Sequence, residues 1–232
     1  MSGERLTIKT PDGEFSAYVA RPAAAQAPAV VVIQEIFGVN KVMRDITDEL
    51  AAAGYLAICP DLFWRIEPGI DITDQSKAEW DRAFELFGLF DADKGIEDVQ
   101  ATIDAIRKDA GGTGKVGAVG YCLGGKVAYL TAARTDIDAS VSYYGVGIDG
   151  LLGEAANIKN ALLMHVATKD GFVPPEAQAA IHAALDGHPK ITIHDYQGQD
   201  HAFARHGGEH YDEASATLAN QRTLDFFKAN LG

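Results

Sequence analysis

The sequence predicts an α/β fold built on a doubly wound, mostly parallel sheet with an antiparallel hairpin at its N-terminal edge. Three observations lead there. Short apolar runs rich in β-branched residues, such as Ala29-Val30-Val31-Val32-Ile33, alternate with stretches of helical period, the pattern of strands covered on both faces by helices. Two alternating segments flank the turn signal Pro11-Asp12-Gly13, which reads as a hairpin. The stretch from Lys115 to Ala133 reads as strand, glycine-flanked turn and helix, with Cys122 at the apex.

The elements follow in chain order. Leu6–Lys9 and Phe15–Arg21 form the hairpin, and a small-residue loop leads into the Ala29–Ile33 strand. Gln34-Glu35-Ile36-Phe37-Gly38-Val39-Asn40 closes it, and a helix runs from Lys41 to Ala53 with Asn40 as N-cap and Gly54 as C-cap. Tyr55–Pro60 is the next buried strand, with Cys59 pointing into the core. Leu62–Asp74 is an ordered excursion without period. Helices follow near Gln75–Phe90 and Asp91–Asp109, divided weakly around Gly88, and Gly111–Gly114 resets the chain into the central strand. Beyond the cysteine turn come strands at Ala139–Gly145, Ala161–Ala167 and Lys190–Tyr196, a proline-initiated helix to Leu185, and a closing helix over Ser215–Lys228.

Composition narrows the class. At 232 residues, 47% hydrophobic and 23% charged, the chain suits one soluble globular domain. There is no apolar run of about 18 or more residues and no charged-then-apolar leader, so a cytoplasmic protein without a membrane span is expected. Two cysteines are too few for a disulfide framework. The net charge of −13 argues against nucleic acid or an anionic membrane as partner. It also means that an acidic substrate must be bound by local arginines.

Gly120-Tyr121-Cys122-Leu123-Gly124 has the Gly-x-nucleophile-x-Gly spacing of the α/β-hydrolase elbow, with cysteine in place of serine. A strand turning straight into a helix strains its apex and leaves no room for side chains two positions away. Gly120 and Gly124 remove them. The apex sulfur then lies over a helix N-terminus, which favours thiolate, and the Leu123 N–H is one oxyanion donor. Ile36 offers the second, from the loop position that this fold uses.

The elbow demands an acid and then a histidine after the last strands. Asp170 follows the strand ending at Ala167, and His201 follows the strand ending at Tyr196. His201 would accept the thiol proton and Asp170 would hold its tautomer. Asp200 reads as a turn or capping residue. His165, His182, His188, His194, His206 and His210 read as strand, helix-surface or loop residues. The spacing His206-Gly207-Gly208-Glu209-His210 does not make a metal motif, because its glycines do not hold a helix and His-Glu-x-x-His is absent. Glu35 ends a buried strand, where it reads either as a loop acid or as a gate that accepts a hydrogen bond from neutral Cys122. Arg205 reads as a solvated loop residue or as a carboxylate clamp.

Taken together, Gln34–Gly38, Pro60-Asp61-Leu62, Gly117–Gly125, Tyr143–Gly147, Asp170–Pro174 and His201–Arg205 resemble the dienelactone hydrolase (carboxymethylenebutenolidase) family over almost the whole chain. The resemblance implies an α/β-hydrolase fold without a large lid, no cofactor, a monomer, and a Cys122–His201–Asp170 triad whose resting thiol is bound by Glu35. It implies opening of the enol-lactone 4-carboxymethylenebut-2-en-4-olide to maleylacetate in aromatic and chloroaromatic catabolism, with Arg205 on the substrate carboxylate and Tyr144 lining the site. One departure stands out. Where the family typically carries an arginine and a tyrosine on the helix before Phe90, this chain has Trp80 and Phe84. Arg82 lies two residues from Trp80, roughly 200° round a helix. A general carboxylesterase or thioesterase of larger apolar substrates is therefore the first rival expectation, and a thiol sensor or binding protein without turnover is the second.

Overall fold

A computed structural model describes residues 3–232. They divide into two compact units, the first ending at Ala118 and the second running from Val119 to Gly232.

In the first unit, β1 (Glu4–Thr10) and β2 (Gly13–Ala20) form the expected hairpin, in antiparallel register from Glu4 opposite Val19 to Thr10 opposite Gly13. β2 runs antiparallel to β4 (Leu56–Pro60), which runs parallel to β3 (Ala27–Ile33). The strand order is β1-β2-β4-β3-β5, where β5 (Gly112–Tyr121) is the strand along which the chain passes into the second unit. Val30 to Ile33 have no exposed surface, as a strand covered on both faces requires.

Side-chain parity fixes the faces. Tyr18 Oη donates to Asp48 Oδ1 at 2.9 Å, which sets α1 (Lys41–Ala52) on one face. Phe15, of opposite parity, stacks on Trp64, whose Nε1 donates to Asp98 on α3 (Ala92–Arg107). Helices therefore cover both faces.

The local signals held where they were local. Asn40 caps α1, its side chain accepting from Met43 N, whereas the C-cap is Ala53 and not the expected Gly54, which comes one residue later at φ 102. Cys59 has no exposed surface, and burial pushes its thiol pKa up. Gly88 is not the break between the two middle helices, because it lies inside α2 (Lys77–Leu89). The chain breaks at Phe90-Asp91, where the Asp91 carboxylate accepts from Asp93 N and Lys94 N and starts α3. Gly95 makes room for the Phe90 ring, which a Cβ there would strike.

In the second unit, α4 (Leu123–Arg134) follows the end of β5. β6 (Ala139–Tyr143), β7 (Ala161–Ala167) and β8 (Ile191–Tyr196) are parallel and adjacent in that order. Ser140 and Ser142 on β6 donate to the α4 carbonyls of Ala128 and Gly125. Tyr143, of opposite parity, donates to Asn220 on α6 (Glu213–Leu231). α4 and α6 thus lie on opposite faces, and α5 (Pro175–Leu185) is the proline-initiated helix. Two elements were not expected from the sequence. A 3-10 helix spans Asp149–Asn157, and β5 begins at Gly112, inside the glycine run expected to be loop.

Candidate active site

Three non-glycine residues among those described have positive φ: Cys122 at 57°, Tyr144 at 37° and Ala202 at 63°. Each such conformation costs on the order of 1–3 kcal/mol and persists only where surrounding structure over-determines it. All three follow C-terminal ends of parallel strands in the second unit, where ligands bind in doubly wound sheets.

The elbow is built as its glycines require. Cys122 donates its N–H to Tyr143 O at 3.1 Å, and its carbonyl accepts from Gly125 N at 3.0 Å and Lys126 N at 3.2 Å. A Cβ on Gly120 would collide with the Gly124 carbonyl, and one on Gly125 would press against Tyr143 O. Leu123 is the first residue of α4, so its N–H is among those left without an intrahelical acceptor. Cys122 is itself buried.

Asp170 and His201 are both buried and are joined by a 2.8 Å hydrogen bond from His201 Nδ1 to Asp170 Oδ2. The other carboxylate oxygen of Asp170 accepts from Phe172 N at 2.8 Å, which fixes its plane. The His201 ring is packed edge-on by Tyr144 at 5.1 Å and Phe172 at 4.8 Å. Its Nε2 is buried and has no hydrogen-bond partner.

Burial by itself lowers the His201 pKa. The neighbouring Cys122 and the Asp170 hydrogen bond overcome it and raise the value to about 10. Cys122 is thus near enough to the imidazole to act on its charge. A proton passed from sulfur to Nε2 would be stabilised on the ring, giving a thiolate–imidazolium pair.

Of the remaining expected residues in this unit, Tyr144 packs on both His201 and Phe203, and its N–H donates to His165 O. Arg205 is buried on the loop after His201, its N–H donating to Ala202 O at 2.9 Å.

The first unit holds the other candidates. Glu35 and Ile36 follow β3 and are buried, in a loop pinned by Leu62 N donating to Gln34 Oε1 and Ile72 N donating to Phe37 O. Trp80 on α2 donates Nε1 to Asp74 O, meets Phe37 edge-on at 5.1 Å and stacks on Phe84 at 5.5 Å. Phe84 is 48% exposed. Arg82 is paired with Glu67 and Glu85, so its charge is already matched by two carboxylates.

A model of the dienelactone hydrolase family matches residues 15–231. The chain belongs to the dienelactone hydrolase family. It is 54% identical over 223 residues to an Azospirillum brasilense protein named "Putative carboxymethylenebutenolidase", a match covering 95% of this chain and 96% of that one. Identity to a carboxymethylenebutenolidase of Pseudomonas putida is 40% over 227 residues, covering 97% and 96%. A crystal structure described as a "Putative Dienelactone Hydrolase" from Klebsiella pneumoniae superposes with a TM-score of 0.85 at 30% identity, covering 97% of this chain and 98% of that one. The α/β-hydrolase fold expected from the elbow is accordingly the fold of this family member.

Phe172 is a site neighbour that the sequence does not single out. Its position directly after Asp170-Gly171 was the available signal, since a residue in the acid turn lies within reach of the histidine that the acid binds. That its ring turns onto His201 depends on two loops far apart in sequence.

Proposed function

We propose that this dienelactone hydrolase family member opens a small enol-lactone bearing a carboxylate, with Cys122 as nucleophile, His201 as general base and Asp170 as the residue that orients the base. The sulfur bonds to the lactone carbonyl carbon while its proton passes to His201. The ring C–O bond then breaks, leaving a thioester on Cys122 and an enolate, which takes up the proton held by His201 and returns the imidazole to its neutral form. The enolate is a good leaving group, so the step needs no strong acid. His201 next takes a proton from water, whose hydroxide attacks the thioester, and the thiol is restored as the carboxylate departs. Leu123 and Ile36 N–H groups stabilise the oxyanion in both halves, and Arg205 binds the substrate carboxylate through paired hydrogen bonds. Glu35 holds the thiol in its neutral form until substrate binds.

The observation that supports this reading is the imidazole of His201. Its Nδ1 is bound to Asp170, and its Nε2 is buried, unpartnered and beside a cysteine on a strained elbow. The names of the relatives support the lactone as substrate class.

The test is ultraviolet-monitored hydrolysis of cis- and trans-dienelactone by wild type and Arg205→Ala, with p-nitrophenyl acetate in parallel. Lactone turnover should fall at least about a hundredfold in Arg205→Ala through loss of a charge-assisted clamp, with the neutral ester changed less than about threefold. Lactone turnover equal in the two proteins would refute the carboxylate role. The stacked Trp80 and Phe84 favour a second reading, a carboxylesterase of bulkier apolar esters. Turnover of the aryl ester with none of either lactone would select it.

A further inference from the structure

Both backbone polar groups of His201 are held by side chains. Asp200 Oδ1 accepts the His201 N–H at 2.7 Å, and His210 Nδ1 donates to the His201 carbonyl at 3.2 Å. The same Asp200 oxygen also accepts from Gly171 N at 3.1 Å. One carboxylate oxygen thus joins the residue that follows Asp170 to the main chain of the histidine that Asp170 binds. His210 Nε2 lies 3.9 Å from the other Asp200 oxygen, which closes the group into a ring of contacts around the His201 peptide.

The conformation next in the chain gives this arrangement a task. Ala202 has φ 63, which a non-glycine residue adopts only when held there. It is the turn at Ala202 that reverses the chain after His201, with Arg205 N returning to Ala202 O. A relaxation of that turn would carry the His201 Cα with it. The ring would then leave the 2.8 Å bond to Asp170 or lose its place between Tyr144 and Phe172. The backbone ties between the two loops, such as Lys169 N to Gln199 O, act on residues before the acid and before Asp200. The Asp200 bonds act at Gly171 and His201, the positions adjoining and belonging to the acid–base pair.

We propose that Asp200, supported by His210, is a positioning residue of the acid–base pair, fixing the His201 main chain against the Asp170 loop so that Nδ1 stays on Asp170 and Nε2 faces the nucleophile. The proposal rests on the reading of His201 as general base. It does not make Asp200 a catalytic residue, since neither of its oxygens bonds the imidazole of His201.

The geometry sets the conservative variant. Asparagine keeps an oxygen able to accept both N–H bonds, whereas alanine keeps none. Asp200→Ala should lower kcat for p-nitrophenyl acetate by about 10- to 100-fold, the cost of small misplacement of a reacting group, with KM changed less than about twofold. Asp200→Asn should retain kcat to within about threefold. Proton NMR supplies the second readout: the downfield signal of the His201 Nδ1 proton should broaden or move in Asp200→Ala and persist in Asp200→Asn. If Asp200→Ala does not fold by circular dichroism, His210→Ala, which removes only the carbonyl contact, takes its place with the same expected direction. Unchanged kcat and Nδ1 signal in Asp200→Ala overturn the proposal, and so does equal loss in the alanine and asparagine variants. His201→Ala in the same assay keeps the two claims apart. Full activity there would sink the general-base reading itself, whereas an inactive His201→Ala beside an unimpaired Asp200→Ala would remove only the positioning role.

Discussion

Cys122 is held at φ 57 and ψ −115 at the head of α4, and its neighbours must make room for that turn. Gly120 is the residue with least latitude, because any Cβ there meets the Gly124 carbonyl, which is backbone and cannot rotate away. Gly120→Ala should therefore cost about 1–3 kcal/mol of stability through overpacking and abolish turnover by displacing the sulfur. Urea unfolding and p-nitrophenyl acetate hydrolysis measure the two effects, and unaltered activity would show that the elbow is not the nucleophile's support. The proposed Glu35 gate also belongs at this scale. Alkylation of Cys122 by iodoacetamide should be faster in Glu35→Gln than in wild type, and equal rates would remove the gate from the mechanism. The proposed triad can be read from the sequence because each candidate follows a strand and the fold sets their order. Phe172 and the two bonds of Asp200 cannot, because each depends on where two distant loops meet.

Between β7 and α6 lies a buried polar chain that the sequence did not announce. His165 is 1% exposed, with Nδ1 at 2.8 Å from Tyr196 Oη and Nε2 at 3.0 Å from Thr223 Oγ1. Arg222 donates to Tyr196, and Tyr143 Oη shares a 2.7 Å bond with Thr223. A consistent direction runs from Arg222 through Tyr196, His165 and Thr223 to Tyr143 and Asn220, each hydroxyl donating once. Burial, followed by the charges of His194 and Arg222, holds the His165 pKa well below its ordinary value. The unfolded chain therefore binds a proton more readily than the folded one as pH falls below about 6.5. The stability contributed by neutral His165 is present above that pH and lost below it. His165→Asn should be less stable by about 1–3 kcal/mol at pH 7.5 and should lose less further stability between pH 7 and pH 5 than wild type. Urea midpoints at the two pH values decide, and parallel losses would clear His165 of a role in acid sensitivity. The sequence reading of His165 as an ordinary strand residue was right about its element and silent about its partners. Element positions followed from local signals, as at Asn40 and Asp91. Gly88 misled because a glycine is tolerated inside a helix that starts at the Ser76 cap and runs to the Phe90 C-cap, just before Asp91 starts α3.

Over the whole chain, family membership and the α/β-hydrolase fold follow from a match over residues 15–231 and from relatives aligned nearly end to end. In the proposed function the departure at Trp80 and Phe84 concerns only the choice of substrate. The chemistry proposed at Cys122 does not depend on it. The net charge of −13 would leave recruitment of the proposed acidic substrate to local groups such as Arg205. Among the described residues no helix is long and apolar enough to cross a membrane. In the proposed mechanism the ester bond is broken by transfer of the acyl group to the Cys122 sulfur. Acid quenching during turnover of p-nitrophenyl acetate, followed by peptide mass spectrometry, tests it directly. An acetyl group is expected on the peptide containing Cys122 in wild type, with more of it in His201→Ala, and neither adduct nor steady hydrolysis in Cys122→Ala. An acetyl group on another residue during turnover, or steady hydrolysis by Cys122→Ala at the wild-type rate, would contradict it.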